Sequence, residues 1–226
     1  MLKASLLPSI ENLEALLDTH APFQAAPLCP EIRVFHGSSL VEVWQAAEVL
    51  AGETLPSPFW AFAWPAGCAL ARTVLDHPHL VRDRVVLDFG CGGGIASLAC
   101  AHAGARRVVA NDVDPWAVAV TQIAAERQGL HLETLLADLT AEARSAEGFD
   151  VVLAGDLFYD RSTAPRERAV LDNAQQSGAH ILIADAGRTY FDATGLTLIG
   201  DYVVDTVRDL EGIAARRTRV FEIPGA

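Results

Sequence analysis

Basic charge, paired cysteines and long apolar runs are all scarce in this chain. Lys and Arg supply 17 of its 226 residues against 29 Asp and Glu, a formal net charge of -12. That balance argues against a non-specific nucleic-acid binder, because affinity for a phosphate backbone rests on Lys and Arg. It is compatible with a small-molecule substrate or with a basic patch on a protein. The four cysteines, Cys29, Cys68, Cys91 and Cys100, form no CxxC pair and no Cys/His set at zinc spacing. No metal is therefore expected, and the thiols read as reduced and buried in a cytoplasmic protein. No apolar run reaches the roughly 20 residues of a membrane span. The first residues include Glu11, Glu14 and Asp18 and lack an Arg-rich amphipathic pattern, so neither a secretion signal nor an organelle presequence is expected. There is no internal repeat and no low-complexity segment.

What the chain does have is apolar material. Hydrophobic residues make up 51% of it, well above the level of a disordered chain. Its length suits one sizeable core rather than two. A single domain over 1–226 is expected: an N-terminal extension with a tryptophan loop over 1–83, and a ligand-binding core over 84–226. No apolar segment is left over for an oligomer contact, which favours a monomer.

Residues from about Pro8 to Thr19 predict a short amphipathic helix, with Ile10, Leu13, Leu16 and Leu17 on one side. "EIRVFHG" predicts a strand, and "SLVEVWQAAEVLAG" a helix closed by Gly52. "LPSPFWAFAWPAG" puts Trp60 and Trp64 in a proline-rich loop, before "CALARTVLDHP" resumes helix. From Arg84 onward strand and helix alternate. The predicted strands are "RVVLDFG", "RVVAND", "LETLLAD", "FDVVLAGDLF" and "HILIADAG". Asp114 can cap the helix that starts at Pro115. Strands this apolar are expected to be buried on both faces, as in a parallel sheet covered by helices. "TLIGDYVVDTV" and "RRTRVFEI" predict an antiparallel pair joined by "RDLEGIAA"; "RDLEGIAARRTR" reads as a solvated hairpin rather than a binding patch, although its arginines could touch an acidic partner. The expected fold is α/β: a Rossmann-like, doubly wound, seven-stranded sheet. It is mostly parallel, with an antiparallel C-terminal strand pair and a helical N-terminal extension. Ligands bind such sheets beyond the C-terminal strand ends, and those ends carry Asp88, Asp112, Asp138, Asp156 and Asp185.

The stretch "VVLDFGCGGGIASLA" raises the question of which ligand its glycines serve. A dinucleotide fingerprint starting at Gly90 has its second glycine at Gly92 but Ile95 in third place, so it fails. A phosphate-binding P-loop fails too, because no Gly-Lys-Ser/Thr follows. What remains is D-x-G-x-G-x-G: Asp88, Gly90, Gly92 and Gly94. A carboxylate just before the loop would repel a pyrophosphate, which wants backbone N–H groups and a helix N-terminus. S-adenosylmethionine (SAM) has no phosphate and carries a sulfonium and an ammonium, both of which a carboxylate favours. Asp112 can then clamp ribose hydroxyls, and Asp138 can accept from the adenine amino group.

These residues bring a resemblance into view. "WAFAWPAG", "VLDFGCGGG", "ANDVDPWA" and "GDLFYD" make the chain similar to the seven-strand SAM-dependent methyltransferases. More narrowly, it resembles the lysine methyltransferases that modify the beta subunit of electron transfer flavoprotein, with their bacterial members. The match runs from about Phe59 to Asp160, and "GDLFYD" fits the (D/E)-x-x-(Y/F) signature of a lysine-methylating group. The resemblance implies that Asp88, Gly90 and Gly92 line the methionine end of SAM, that Asp112 holds the ribose and that Asp138 lies by the adenine. It puts Trp60 and Gly67 beside the cofactor. It makes Asp156 and Tyr159 the catalytic pair where methyl group and acceptor meet. Electron transfer flavoprotein is the implied partner, with no nucleic acid and no membrane. A mitochondrial location is not inherited, since no presequence is seen.

A lysine acceptor sets its own demand. Its pKa of about 10.4 makes neutralisation near pH 7.4 cost roughly 4 kcal/mol. Asp156 can orient the amine, and Tyr159 with the tryptophans can wall its stem. Trp44 and Trp116 read as packing residues, and His36, His77, His79 and His102 as structural. Two other readings stay open: a methyltransferase for a small amine or nicotinamide-like heterocycle, and a non-catalytic binding protein that keeps the fold.

Overall fold

A computed structural model describes residues 7–141 and 146–224. The chain begins with α1 (Ile10–His20), β1 (Phe23–Ala26), β2 (Cys29–Phe35), α2 (Leu40–Ala51) and α3 (Pro65–Asp76). Next come β3 (Val85–Phe89), α4 (Ile95–His102), β4 (Arg107–Asp112), α5 (Pro115–Glu126) and β5 (Glu133–Leu136). It closes with β6 (Val151–Gly155), α6 (Ala164–Gln176), β7 (His180–Asp185), β8 (Thr197–Asp205), the short α7 (Arg208–Glu211) and β9 (Ala215–Ile223). The helix ends follow their caps. Ser9 and Ser39 accept from Asn12 and Glu42 N–H groups, Gly52 closes α2 at φ +69°, and Asp114 accepts from Trp116 N–H with Pro115 in the first turn.

The main sheet has seven strands in the order β5-β4-β3-β6-β7-β9-β8. β5, β4, β3, β6 and β7 pair in parallel, and β9 runs antiparallel to both β7 and β8. The expected antiparallel hairpin is present, with its second strand inserted between the first and the parallel set. Neighbouring residues of one strand serve opposite layers, as the two-residue period requires. Val86 joins a core with Leu70 and Val74 of α3 and Cys100 of α4, while Leu87 joins one with Val170 and Leu171 of α6.

Two expectations change. The N-terminal extension is not purely helical, because β1 and β2 form a separate two-stranded antiparallel sheet. With α1 it makes a third core, in which Leu13, Leu17, Ile32 and Phe35 join Leu98, Trp116 and Val120. The strand read from "LETLLAD" is also not buried on both faces. β5 is the sheet edge, all four of its residues are exposed, and Leu136 is 53% exposed. An edge strand has a neighbour on one side only, and its apolar side chains are covered correspondingly less.

Candidate active site

The site is built where the parallel strands stop. After Phe89 the chain turns through the glycines into α4. The N–H groups of Gly90 and Cys91 both donate to Asn111 O, at 3.0 and 2.8 Å, tying the loop to the end of β4. Gly92 N–H donates to Asp112 Oδ2 at 2.9 Å, and Asp114 N–H donates to the other oxygen at 3.0 Å. Gly92 sits at φ +53°, a conformation side chains resist, and a Cβ built there would meet nothing within 4 Å. Gly93 is the reverse case: its Cβ would lie 2.7 Å from the Trp60 carbonyl oxygen. One glycine leaves the loop open on its outer side. The next lets the tryptophan turn pack against it.

Asp88 is 3% exposed, and its Oδ2 accepts from Ser97 N–H at 3.0 Å and Ser97 Oγ–H at 2.5 Å. Burial pushes its carboxyl up to about 6, the Ser97 bonds pull against that, and the Asp112 charge adds to it. Burial raises Asp112 as well, against the N–H groups of Asp114, Gly92 and Val113. Two acids whose ionisation is disfavoured make a place that gains from a cation. No Lys or Arg stands in the loop at 88–94 to answer a phosphate. On donor chemistry and on the open side of Gly92, these residues fit SAM. Asp138 is exposed just beyond β5, and its Oδ1 accepts from both the N–H and the hydroxyl of Thr140, at 2.9 and 2.6 Å. Asn111 Nδ2 donates to Leu135 O and Ala137 O at 2.9 Å each, which fixes this strand end beside Asp112.

Trp60 and Gly67 lie against the glycine loop and the start of α4. The Trp60 ring is 3% exposed and stacks on Trp116, with centroids 5.3 Å apart and planes 19° from parallel. Its backbone carbonyl lies against the glycine loop at Gly93. Gly67 lies in α3, where a Cβ would come within 2.7 Å of the Ile95 side chain, so it lets α3 close on the start of α4. Both residues shape the loop from behind. Trp116 packs as expected, and Trp44 is half-buried with its Nε1–H on Leu55 O at 2.9 Å. His36 holds the tryptophan loop: its Nδ1 accepts from Ala63 N–H at 3.0 Å, and burial lowers its pKa.

The other half of the site lies past β6. Asp156 stands at φ +55°, rare for a residue with a side chain, and is 9% exposed. Its Oδ2 accepts from Ala66 N–H at 3.2 Å, so it caps α3 from 90 residues away, and its Oδ1 accepts from Arg188 Nε–H at 2.7 Å. Burial raises its pKa, and Arg188 opposes that most strongly. Tyr159 is 56% exposed and meets Phe59 edge-on at 6.2 Å; Phe59 in turn meets Trp64 edge-on at 5.3 Å. Phe59, Trp64 and Tyr159 thus form a partly open aromatic rim. Sequence reasoning picked Tyr159 and missed Phe59 and Arg188. "FWAFAW" was the available signal for Phe59, and nothing local pointed to Arg188. Among the described residues no group of His, Cys, Asp and Glu could hold a metal ion.

A seven-stranded sheet with one reversed strand, a glycine loop after its first parallel strand and acids at the strand ends define a class I methyltransferase. The structure of a 16S rRNA N2 G1207 methyltransferase from T. thermophilus, solved with AdoMet and guanosine, has the same fold. It aligns at a TM-score of 0.50 and 22% identity, over 72% of this chain and 43% of that one. A family model described as ribosomal protein L11 methyltransferase (PrmA) matches residues 69–157. The electron transfer flavoprotein beta subunit lysine methyltransferase of Xenopus laevis is 35% identical over 178 residues, which cover 77% of this chain and 70% of that one. Its counterpart in Danio rerio is 38% identical over 138 residues, 61% of this chain and 53% of that one. The chain belongs to this lysine methyltransferase family, although its match to the Danio rerio and Rattus norvegicus proteins spans only about half their length.

Proposed function

We propose that the chain is a SAM-dependent protein-lysine N-methyltransferase acting on the beta subunit of electron transfer flavoprotein. The observation that carries the proposal is a juxtaposition at one end of the sheet. A cation-favouring glycine loop with Asp88 and Asp112 lies beside a buried carboxylate, Asp156, and an open aromatic rim. Gly90, Gly92 and Asp88 would hold the methionine end of SAM, Asp112 the ribose and Asp138 the adenine side. Bound SAM would supply an electrophilic methyl carbon, whose bond to sulfur breaks as the amine lone pair attacks, leaving a neutral thioether and a methylammonium that sheds its proton to solvent. The chain's own task is to deliver that amine neutral and aligned. Phe59, Trp64 and Tyr159 receive the lysine stem through apolar and cation–π contact. Each Asp156 oxygen keeps a lone pair beyond the bond it already accepts, and these orient the amine N–H groups. The four cysteines are free and buried, which supports a reducing compartment such as the cytoplasm.

The test is labelled SAM incubated with a bacterial extract and, separately, with purified electron transfer flavoprotein, both split by size. Label in a single protein band that maps to lysine is the expected result. Label confined to the low-mass fraction would replace this reading with a small-amine methyltransferase, and SAM binding without transfer would replace it with a binding protein. The sole lysine of the chain is Lys3, so self-labelling on lysine adds at most one site.

A further inference from the structure

The carboxylate of Asp156 is one member of a line of charges in which two buried acids alternate with two partly buried arginines. Arg188 follows β7 in the turn Asp185-Ala186-Gly187-Arg188, where Asp185 Oδ1 accepts from the N–H groups of Gly187 and Arg188 at 2.6 and 2.8 Å. That turn aims the guanidinium at two acids. Its Nε–H meets Asp156 Oδ1 at 2.7 Å, and its Nη2 meets Glu211 Oε1 at 2.8 Å. Glu211 belongs to α7, between β8 and β9, and its side chain is 3% exposed. Its other oxygen pairs with Arg216 of β9. The line therefore runs from Arg216 through Glu211, Arg188 and Asp156 to Ala66 N–H in the first turn of α3. The stretch "RDLEGIAARRTR", expected to be solvated, contributes two of its members.

We propose that Arg188 is a positioning residue of the acceptor site, fixing the Asp156 carboxylate, and that Glu211 makes the C-terminal hairpin part of that site. The inference rests on the lysine-methylating reading only for its kinetic consequences. Three observations support it. Asp156 holds a left-handed conformation, which persists only where the surroundings over-determine it, and Arg188 and Ala66 N–H supply that constraint. A planar guanidinium offers separate N–H edges to two acids at once, which a lysine ammonium at the same position does not reproduce. The third is charge balance. Asp156, Asp185 and Glu211 are all buried here and face Arg188 and Arg216, with the Cys68 thiol and Tyr159 hydroxyl as the neighbouring titratable groups. Without Arg188, three acids would share one arginine, and Asp156 would hold its proton to higher pH.

The test compares the full chain with Arg188→Gln, Arg188→Lys and Glu211→Gln. Three quantities are read: SAM affinity by calorimetry, methyl transfer to electron transfer flavoprotein between pH 6 and 9, and carboxyl titration by carbon-13 NMR, with Asp156→Asn assigning the signal. SAM affinity should stay within about threefold in all three variants. Arg188→Gln should lose at least thirtyfold in kcat/KM, with the acid limb of its pH profile moved up by about one pH. Arg188→Lys should not rescue it, and Glu211→Gln should lose at least fivefold in kcat/KM with the acid limb moved down, because the Glu211 charge itself raises Asp156. A merely structural role would lower activity without moving the acid limb. An unmoved limb, full rescue by Lys, or an Asp156 signal that titrates identically in wild type and Arg188→Gln would overturn the proposal. If Arg188→Gln does not fold, Arg188→Met and Glu211→Gln carry the test, with the acid limb moved up in the first and down in the second. If the wild type methylates no lysine, the lysine reading falls by itself. The NMR arm then decides separately: a moved signal keeps the Arg188 clamp, and an unmoved one removes it.

Discussion

Replacing Asp88 by Asn should make the ligand-free protein more stable at alkaline pH while weakening SAM binding. Asp88 is 3% exposed, and burial lifts its carboxyl from 3.8 to about 6. The folded value lies above the unfolded one. The stability it contributes is therefore complete below pH 3.8 and lost as pH rises through 6. Beyond that the native state holds a buried charge that the unfolded chain would hold in water. The cost is about 3 kcal/mol at pH 8 and about 1 kcal/mol at pH 4.5. Asn keeps one oxygen to accept from Ser97 N–H and hydroxyl, but buries an NH2 group with no assigned acceptor, at about 1–2 kcal/mol. The expected balance for Asp88→Asn is a gain of about 1–2 kcal/mol at pH 8 and a small loss at pH 4.5. Urea unfolding of both ligand-free proteins at the two pH values measures it, and each kcal/mol corresponds to about 2–4 °C in Tm for a chain of this size. A variant less stable than wild type at pH 8, or a difference that ignores pH, would refute the reasoning. Calorimetry should show SAM affinity down at least tenfold in the same variant, because the charge that costs stability is the one offered to the ligand.

Three further outcomes are expected. Gly93→Ala sets a Cβ against the Trp60 carbonyl oxygen, and should cost about 1–3 kcal/mol in urea unfolding as the tryptophan turn shifts. Tyr159→Ala removes a residue that is 56% exposed, so stability should change by less than about 0.5 kcal/mol while KM for the protein acceptor rises at least fivefold and SAM affinity holds. His36 is held neutral by burial, so the unfolded chain takes up its proton first as pH falls below 6.5 and native stability drops there. His36→Asn keeps an acceptor for Ala63 N–H, and its stability curve should be flatter than the wild type's between pH 7.5 and 5.5.

The parallel core was legible because its signals are local. Apolar runs such as "RVVLDFG" mark buried strands, and the places where those runs end put Asp88, Asp112 and Asp156 at one end of the sheet. β5 misled because Leu135 and Leu136 look like core in sequence, while edge position is set by strand order and by nothing within "ETLL". The β1–β2 hairpin was half-read: its turn passes through Leu28 at φ +61°, a conformation with no glycine to announce it. The resemblance puts Trp60 beside the cofactor, but the stacking of its ring on Trp116, 56 positions away, has no signal along the chain. Arg188 and Glu211 were invisible for the same reason. Their partners lie 32 and 23 residues away, and a charge pair at that separation leaves no pattern along the chain.

The place of β9 has a consequence for the order in which the protein is made. β8 leaves the ribosome before β9, yet among the described residues its one partner in the sheet is β9, which also pairs with β7. A nascent chain can therefore assemble β3 to β7, with the glycine loop, while β8 waits unpaired. Arg216, the outer anchor of the charge line that holds Asp156, arrives only with β9. The glycine loop can thus form before the charge line at Asp156 is complete.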